Sequence, residues 1–293
     1  MEIRHLITFQ TIVNKGSYTE AAYILGYTQS TITAHMQALE QEIGGELFTY
    51  KNRNLHLTTL GKELIPLSED LLSTHEQIKN MRNNNKVSGV LRIAAPESLT
   101  ISKLGPIIKE YSMRFPDVKL ILTNGTCGQN QNDLMSGRVD IAFMLYPEIK
   151  PEKCIHYVLC EERIVLVSNK EGPQHFNEIK SNSSNHFFIT NEEGCSFRTI
   201  FERQLIKHDI KDLQTMELWS IGAIKQMIMN GLGFSVLPYI TVKDEIESGK
   251  IRLLAHSETM ESIYSHMLIK KKKWIAPQIQ AFTRLALASL SAK

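Results

Sequence analysis

Three short helical patterns follow one another within the first 43 residues, and they restrict the possible folds more than any other feature of the chain. Apolar residues over 3–14 recur at three- and four-residue spacing, which is typical of a helix that packs on one face. A second short helix is expected over Thr19–Leu25, where two adjacent alanines allow another helix to cross closely. Gly26 then supplies a tight turn into a third helix, from about Gln29 to Ile43. The pattern predicts a compact unit of three crossing helices.

The third predicted helix has two faces of different chemistry. Its inward stripe is apolar and consists of Ile32, Met36, Leu39 and Ile43. Its start and outer side carry short polar groups, namely Gln29, Ser30, Thr31, Thr33 and Gln37. Such groups reach base edges and phosphates, and a helix N-terminus adds backbone N–H donors. The pattern therefore indicates a DNA-binding helix-turn-helix, although a three-helix packing module without a nucleic-acid role stays open from the pattern alone.

A β-hairpin with a basic tip is predicted after the third helix. Residues 47–50 and 55–57 alternate in hydropathy on either side of the run 51–54, which contains Lys51 and Arg53. Bulk charge gives no further support for a nucleic-acid binder, because residues 1–60 hold four Lys or Arg against five Glu, and the whole chain has a net charge of only +2. The DNA interpretation therefore depends on the pattern of helices and hairpin.

A long helix with an exposed apolar seam is predicted from Thr58 to about Arg82. Its apolar residues recur at near-heptad spacing and are Leu60, Leu64, Leu67, Leu71, Leu72, Ile78 and Met81. Pro66 lies inside this stretch and allows either a kink or a later start of the helix. A single helix cannot bury such a stripe by itself, so we expect it to pair with the same helix of another subunit. The polar run 83–89 predicts a hinge after it.

From Val90 onward, short β-rich runs alternate with helical stretches, which predicts α/β units with largely parallel sheets. A first lobe is expected from strands over 91–95, 118–123 and 140–145, and a second lobe from the segment 157–168 onward. The last strand, over 264–270, and the last helix, over 274–289, are expected to return to the first lobe.

Composition favours a soluble globular protein, since 42% of the 293 residues are hydrophobic and 22% are charged. The chain lacks both a signal-peptide pattern and the run of about 20 apolar residues that spans a bilayer, so a cytoplasmic protein without membrane contact is expected. The four cysteines show neither C-x-x-C pairs nor zinc spacing. With no His-rich metal motif and no G-x-S-x-G elbow, we expect no metal, no cofactor and no catalytic residue.

The N-terminal segment closely resembles the LysR-type transcriptional regulators. The resemblance runs through Phe9, Gly16-Ser17-Tyr18-Thr19-Glu20-Ala21-Ala22, Leu25-Gly26-Tyr27-Thr28-Gln29-Ser30, Thr33, Leu39-Glu40, Ile43-Gly44, Leu47-Phe48 and Leu57-Thr58-Thr59-Leu60-Gly61. The resemblance implies that the third helix enters the major groove of double-stranded DNA, that the wing follows the backbone, and that the linker helix forms a dimer. The DNA-contacting residues it implies are Gln29, Ser30, Thr31, Thr33, Gln37 and Arg53. Ala34 and His35 depart from the longer polar or basic side chains of many members, so a different base preference is expected.

The rest of the chain resembles the effector domain of the same family, although less closely. Its best local matches are Gly194-Cys195-Ser196-Phe197-Arg198, Glu217-Leu218-Trp219-Ser220-Ile221 and Gly231-Leu232-Gly233-Phe234. The predicted fold is thus an α/β effector domain, two-lobed and similar to periplasmic binding proteins, preceded by an all-α winged helix-turn-helix domain and a long linker helix. The expected bounds are 1–58 for the winged domain, 59–88 for the linker and hinge, and 89–293 for the effector domain, with lobe I over 89–160 and 266–293 and lobe II over 161–265.

Polar side chains at several strand ends and helix starts indicate an effector site. Ligands of open α/β sheets lie at the carboxyl ends of strands, and hydroxyls at converging helix starts suit a small anion such as a carboxylate. The predicted effector-binding residues are Ser98, Thr100, Thr126, Cys127, Thr190, Cys195, Ser196, Glu217 and Ser220. For each of them, simple capping of its own helix stays an alternative. Cys127 and Cys195 also raise the alternative of redox sensing, because a helix N-terminus lowers the pKa of a thiol.

These observations predict a regulator that forms a homodimer or homotetramer and changes its DNA binding when a small molecule closes the lobes. Two rivals stay open: a ligand-binding or transport protein with the same two-lobed fold, and an enzyme acting in the cleft. The first leaves the N-terminal pattern without a purpose, and the second lacks a nucleophile, base or metal set.

Overall fold

The computed structural model describes residues 1–51, 54–81, 87–148, 151–181, 186–210, 213–255, 261–272 and 274–290. The chain divides into two compact units. The first comprises Met1–Lys86 with Lys272–Pro277, and the second comprises Val87–Lys271 with Gln278–Lys293.

The first unit begins with three helices, α1 (Ile3–Lys15), α2 (Tyr18–Leu25) and α3 (Gln29–Ile43). Each ends at a glycine in the left-handed region, with φ of 67° to 85°, a conformation that a residue with a β-carbon rarely adopts. Side-chain caps fix two of the starts: Ser17 Oγ accepts a hydrogen bond from Glu20 N, and Thr28 Oγ1 accepts one from Thr31 N. The fully buried side chains of Phe9 and Ile32 lie in the core among the three helices.

A two-stranded wing follows, formed by β1 (Phe48–Lys51) and β2 (Asn54–Leu57) in antiparallel register. The predicted tip residue Arg53 lies outside the described residues. Helix α4 (Thr59–Met81) begins directly after the wing and continues through Pro66. The expectation of a later start is therefore wrong. Pro66 and Lys62, whose carbonyl loses its helical N–H partner to the proline, are both solvent-exposed, so water can satisfy that carbonyl.

The second unit contains two five-stranded sheets. The first has the order β4 (Val118–Asn124), β3 (Gly89–Ala95), β5 (Ile141–Tyr146), β12 (Ile263–Lys270), β6 (Cys154–Glu162). The second has the order β11 (Arg252–Leu253), β7 (Ile164–Ser168), β10 (Gly233–Pro238), β8 (Phe187–Thr190), β9 (Thr215–Glu217).

Both sheets are mixed, which corrects the expectation of largely parallel sheets. In the first sheet, β12 pairs antiparallel with both of its neighbours, and in the second sheet β7 does the same. The predicted segment 157–168 is in fact divided between the two sheets: the chain leaves the first sheet after Glu162, enters the second at Ile164, and returns at Ile263. The long antiparallel pairing of β6 with β12 keeps the chain in the first sheet as far as Glu162 and returns it there at Ile263. Both crossings between the sheets therefore lie two or three residues from the expected lobe bounds.

Helices cover and connect the two sheets. In chain order they are α5 (Glu97–Leu99), a π-helical turn (Thr100–Leu104), α6 (Gly105–Arg114), α7 (Cys127–Met135), α8 (Phe176–Ser181), α9 (Ser196–Lys207), α10 (Ile221–Met229), α11 (Tyr239–Glu247) and α12 (Pro277–Leu290). Strand β12 lies in the first sheet, and α12 packs beside that sheet: Tyr111 donates a hydrogen bond to the Gln278 carbonyl at 2.8 Å, and the Phe282 ring lies 6.4 Å from that of Phe143. None of the helices in the described ranges has the length and apolar character needed to cross a bilayer.

Candidate functional site

Helix α3 presents a polar face at its N-terminal half. Gln29, Ser30 and Gln37 are exposed, whereas Thr31 and Thr33 are half-buried. The Thr33 hydroxyl donates to the Gln29 carbonyl at 3.0 Å, so this hydroxyl is partly occupied within the helix. Four of the five predicted side chains of α3 thus lie within its first five residues, and Gln37 lies about one turn beyond Thr33.

Hydroxyl groups form a linked cluster where α3 begins. Thr28 Oγ1 lies 2.8 Å from Ser30 Oγ and 2.9 Å from Thr31 Oγ1. Thr19 of α2 donates to Gln29 Oε1 at 3.3 Å, which fixes the side chain that leads the helix. Thr28 was not among the predicted contact residues. The preference of threonine for the position before a helix is the signal that identifies it.

His35 does not share the exposed face of α3. Its side chain is buried, its Nδ1 lies 2.9 Å from Thr8 Oγ1, and its ring packs against His5 and Tyr27. Burial, together with the neighbouring His5, lowers the pKa of His35. Only Ala34 of that pair is exposed, and the expected difference in base preference stays a prediction.

The second unit contains a cavity of about 120 Å³ between its two lobes. Residues from the carboxyl ends of strands and from the starts of helices line it: Pro96, Glu97, Ser98, Asn124, Gly125, Thr126, Cys127, Gln129, Leu145, Asn191, Glu192, Cys195, Ser196, Phe197, Trp219 and Ile221. Five of the predicted effector residues are in this set, namely Ser98, Thr126, Cys127, Cys195 and Ser196.

The other four predicted residues, Thr100, Thr190, Glu217 and Ser220, are not among the lining residues that the structure describes. Three of them have hydrogen-bond or ion-pair partners: Thr100 donates to Asn124 Oδ1 at 2.8 Å, Glu217 pairs with Arg198 at 2.7 Å, and Ser220 donates to Glu97 at 3.2 Å. Asn124 and Glu97 themselves line the cavity. Thr190 is buried at the end of β8, and its hydroxyl has no hydrogen-bond partner in the described part of the chain.

Helix α7 begins at the cavity with a complete capping box. Thr126 Oγ1 accepts from Gln129 N at 3.1 Å, and Gln129 Oε1 accepts from Thr126 N at 2.9 Å. Thr126 therefore caps α7 and lines the cavity at the same time. The alternative of capping and the alternative of ligand contact are compatible at this residue.

The two cysteines at the cavity are free thiols in buried positions. Burial raises the pKa of Cys127 to about 11, although hydrogen bonds with the Leu145 backbone oppose the shift. Burial likewise raises the pKa of Cys195. The expectation that a helix N-terminus lowers these pKa values is wrong, because the loss of solvation outweighs the helix dipole.

Sequence reasoning missed eleven of the sixteen cavity residues, among them Glu97, Asn191, Glu192 and Trp219. Glu97 of the first lobe accepts hydrogen bonds from Ile221 N and from Ser220, and thereby caps α10 of the second lobe. Asn191 and Glu192 directly follow β8. The rule that ligands lie beyond the carboxyl ends of strands could have identified both.

Two family models together match nearly the whole chain. A model described as "Bacterial regulatory helix-turn-helix protein, lysR family" matches residues 3–62, and "LysR substrate binding domain" matches residues 84–291. The chain belongs to the LysR family of transcriptional regulators. A DNA-binding helix-turn-helix domain and an effector-binding domain are the two functional parts of such a LysR regulator.

Similar full-length proteins support the assignment of this chain to the LysR family. The uncharacterized regulator YwqM of Bacillus subtilis is 33% identical over 290 residues, which cover 97% of this chain and 98% of YwqM. Among solved structures, a full-length variant of OxyR from Pseudomonas aeruginosa has a TM-score of 0.71 at 17% identity and covers 99% of this chain and 94% of its own. LysG of Corynebacterium glutamicum, with bound effector Arg, has a TM-score of 0.66 at 16% identity, with complete coverage of both chains. These structures share the fold with this LysR regulator.

Proposed function

We propose that this LysR regulator reads its operator mainly through the polar face of α3, with Gln29, Ser30, Thr31, Thr33 and Gln37 as contact residues and Arg53 as a wing contact. The observation that carries the proposal is the exposed cluster of amide and hydroxyl groups at the start of a helix whose opposite side is buried. Amide side chains read adenine in the major groove, and hydroxyls bind bases or phosphates.

Footprinting on the DNA upstream of the protein's own gene, at moderate salt, tests this proposal. Gln29→Ala should weaken specific binding by roughly 5- to 150-fold, since a bidentate base contact contributes about 1–3 kcal/mol. Gln41→Ala is the matched control, because Gln41 is an exposed glutamine near the other end of the same helix and should bind as the wild type does. Equal binding by both variants, or no protected site, would contradict the proposal.

The effector-binding site of this regulator is proposed to be the cavity between the lobes, and its ligand a small molecule with a carboxylate. Ser98 supports this assignment: it is 1% exposed, lines the cavity, and its hydroxyl has no partner within the described residues. A buried hydroxyl without a partner costs stability, and a ligand carboxylate would supply the missing bond. The starts of α7 and α9 add favourable N-terminal dipoles.

A thermal-shift screen of small carboxylates tests the assignment of the cavity. A binding carboxylate should raise the melting temperature of the wild type, and Ser98→Ala should reduce that shift. Ser248→Ala, which removes an exposed hydroxyl outside the cavity, serves as the control and should respond like the wild type. A response that is unchanged in Ser98→Ala would place the ligand elsewhere.

A further inference from the structure

We propose that the effector is a small zwitterion of the amino-acid class, whose ammonium group binds Glu192 and Asn191 while its carboxylate binds Ser98 and the starts of α7 and α9. This inference rests on the proposed function of the cavity and adds the requirement for a positively charged donor group. It follows from the unpartnered acceptors and from the charge of the lining.

Glu192 provides the first acceptor. It lines the cavity, and its Oε2 is buried without a hydrogen-bond partner in the described ranges. It lies three residues before Cys195, which precedes α9, and it lines the same cavity as Cys127 at the start of α7. A carboxylate oxygen accepts hydrogen bonds, so a donor on the ligand would satisfy it.

Asn191 provides a second acceptor next to the first. Its side chain is only 6% exposed, it lines the same cavity, and its Oδ1 has no partner among the described atoms. An ammonium group carries three donors and could bind both oxygens at once. A buried carboxylate oxygen and a buried amide oxygen on consecutive lining residues therefore favour a cationic donor over a neutral or acceptor group.

The charge of the lining excludes a plain anion as the best ligand. Glu97 and Glu192 both line the cavity, and no Lys, Arg or His belongs to the lining that the structure describes. Glu97 already accepts from Ile221 N at 2.7 Å, whereas Glu192 Oε2 is unpaired. A simple carboxylate would be repelled by these two charges, but a zwitterion brings its own positive charge to Glu192.

The size of the cavity restricts the ligand further. A volume of about 120 Å³ is comparable to that of an engineered protein cavity of about 150 Å³ that holds benzene, a ligand of six heavy atoms, so it suits a short amino acid. Trp219, which is 74% exposed, also lines the cavity and gives a fluorescence signal for its occupation. The chain has one other tryptophan, Trp274, so a Trp219→Phe variant assigns the signal.

The experiment compares matched ligands on the full-length protein by calorimetry and by Trp219 fluorescence. The probes are glycine, L-alanine, L-serine and L-cysteine, each beside the 2-hydroxy acid that replaces its ammonium group with a hydroxyl and beside the amine that lacks its carboxylate. We expect at least one amino acid to bind at least tenfold more tightly than both of its analogues, because each analogue leaves one buried group unpaired.

Two glutamate variants complete the test. Glu192→Gln keeps the shape but removes the charge, and it should weaken amino-acid binding by about tenfold or more. Glu193→Gln is the matched control, since Glu193 is adjacent, exposed and outside the cavity lining, and its affinity should not change. Melting curves of all variants check that they are folded.

The outcomes separate this inference from the proposed function. If hydroxy acids bind as tightly as amino acids and Glu192→Gln has no effect, the ammonium site is refuted while the carboxylate site stands. If amines bind as tightly as amino acids, the carboxylate contacts with Ser98 and the helix starts are refuted, and the zwitterion is refuted with them, while the ammonium site stands. If none of the probes binds, the short amino acid proposed from the size of the cavity is refuted, and the carboxylate screen with Ser98→Ala still decides the proposed function.

Discussion

At the scale of single side chains, the first prediction concerns Glu97, a glutamate of one lobe that caps a helix of the other. Glu97 Oε2 accepts from Ile221 N at 2.7 Å, and Oε1 accepts from Ser220 Oγ at 3.2 Å. We expect Glu97→Ala to lower the free energy of unfolding of the effector domain by about 1–2 kcal/mol, since it removes a charged cap at a helix N-terminus. Urea unfolding measures the effect.

Two further variants serve as references for Glu97→Ala. Glu97→Gln keeps an acceptor oxygen and should lose about half as much stability. Glu193→Ala removes an exposed glutamate and should be neutral. A neutral Glu97→Ala would show that the bond between the lobes contributes nothing in solution.

A pair of histidines makes the stability of the effector domain depend on pH. His266 Nε2 lies 3.1 Å from the Tyr146 carbonyl, so it carries a proton, and its Nδ1 then accepts from His156 Nε2 at 2.8 Å. Burial lowers the pKa of both residues. A histidine whose pKa is lowered in the folded state contributes full stability above its unfolded pKa, about 6.5, and this stability is lost as the pH falls through the folded value.

We therefore expect the free energy of unfolding to decrease between about pH 7.5 and 5. His156→Gln should flatten this decrease, because the variant has one titrating partner fewer. His175→Gln, at an exposed position, should retain the slope of the wild type. Urea unfolding at several pH values gives the measurement, and an equal slope in all three proteins would contradict the assignment.

Side-chain direction was the least predictable property at this scale. Ser98 and Thr100 were expected to act together, yet Ser98 lines the cavity and Thr100 donates to Asn124. Spacing after a strand tells which residues lie near its end, but a helical turn begins at Glu97 and rotates successive side chains by about 100°. Glu192 was missed because it lies in a loop, and a loop sequence has no periodic pattern.

At the scale of elements, predictability followed the strength of the local signals. The bounds of α3 agree with the prediction, because Thr28 caps the start of the helix and Gly44 ends it. The division of 157–168 into β6 and β7 was missed, since only Arg163 lies between the two strands and β6 continues through Glu161 and Glu162. The pairing that separates them involves β12, about 100 residues later, and such partners leave no local trace.

The third prediction concerns Gly233 in strand β10. A β-carbon there would lie 2.0 Å from the Phe187 carbonyl oxygen, because β10 and β8 pair in parallel with Gly233 opposite Phe187. Gly233→Ala should destabilise the effector domain by about 3 kcal/mol or more, since backbone must move to make room. Gly105→Ala is the control within the same unit: its site is open and helical, so it should be neutral or slightly stabilising. Thermal unfolding of both variants decides the point.

At the scale of the whole molecule, the family and the two-part architecture were predictable because many short motifs keep their spacing over the first 60 residues. The motifs do not determine how one N-terminal DNA-binding domain, here called a head, binds DNA tightly when it carries little positive charge. Residues 1–60 hold four Lys or Arg against five Glu, so the electrostatic attraction of one head is weak. Two heads on one operator would compensate, because the second binds at a high effective concentration.

The last prediction concerns the exposed apolar seam of helix α4, through which two subunits, and thus two heads, are expected to pair. Leu67 and Ile78 are 66% and 60% exposed in the single chain and lie on one side of the helix, about three turns apart. Leu67→Glu with Ile78→Glu should convert the protein to smaller species in sedimentation and weaken operator binding by at least tenfold, since charges replace the apolar contact. Ile206→Glu, at an equally exposed apolar residue of α9, is the control and should change neither property. An α4 variant that sediments and binds like the wild type would exclude this seam as the source of tight binding and leave the single head to supply it.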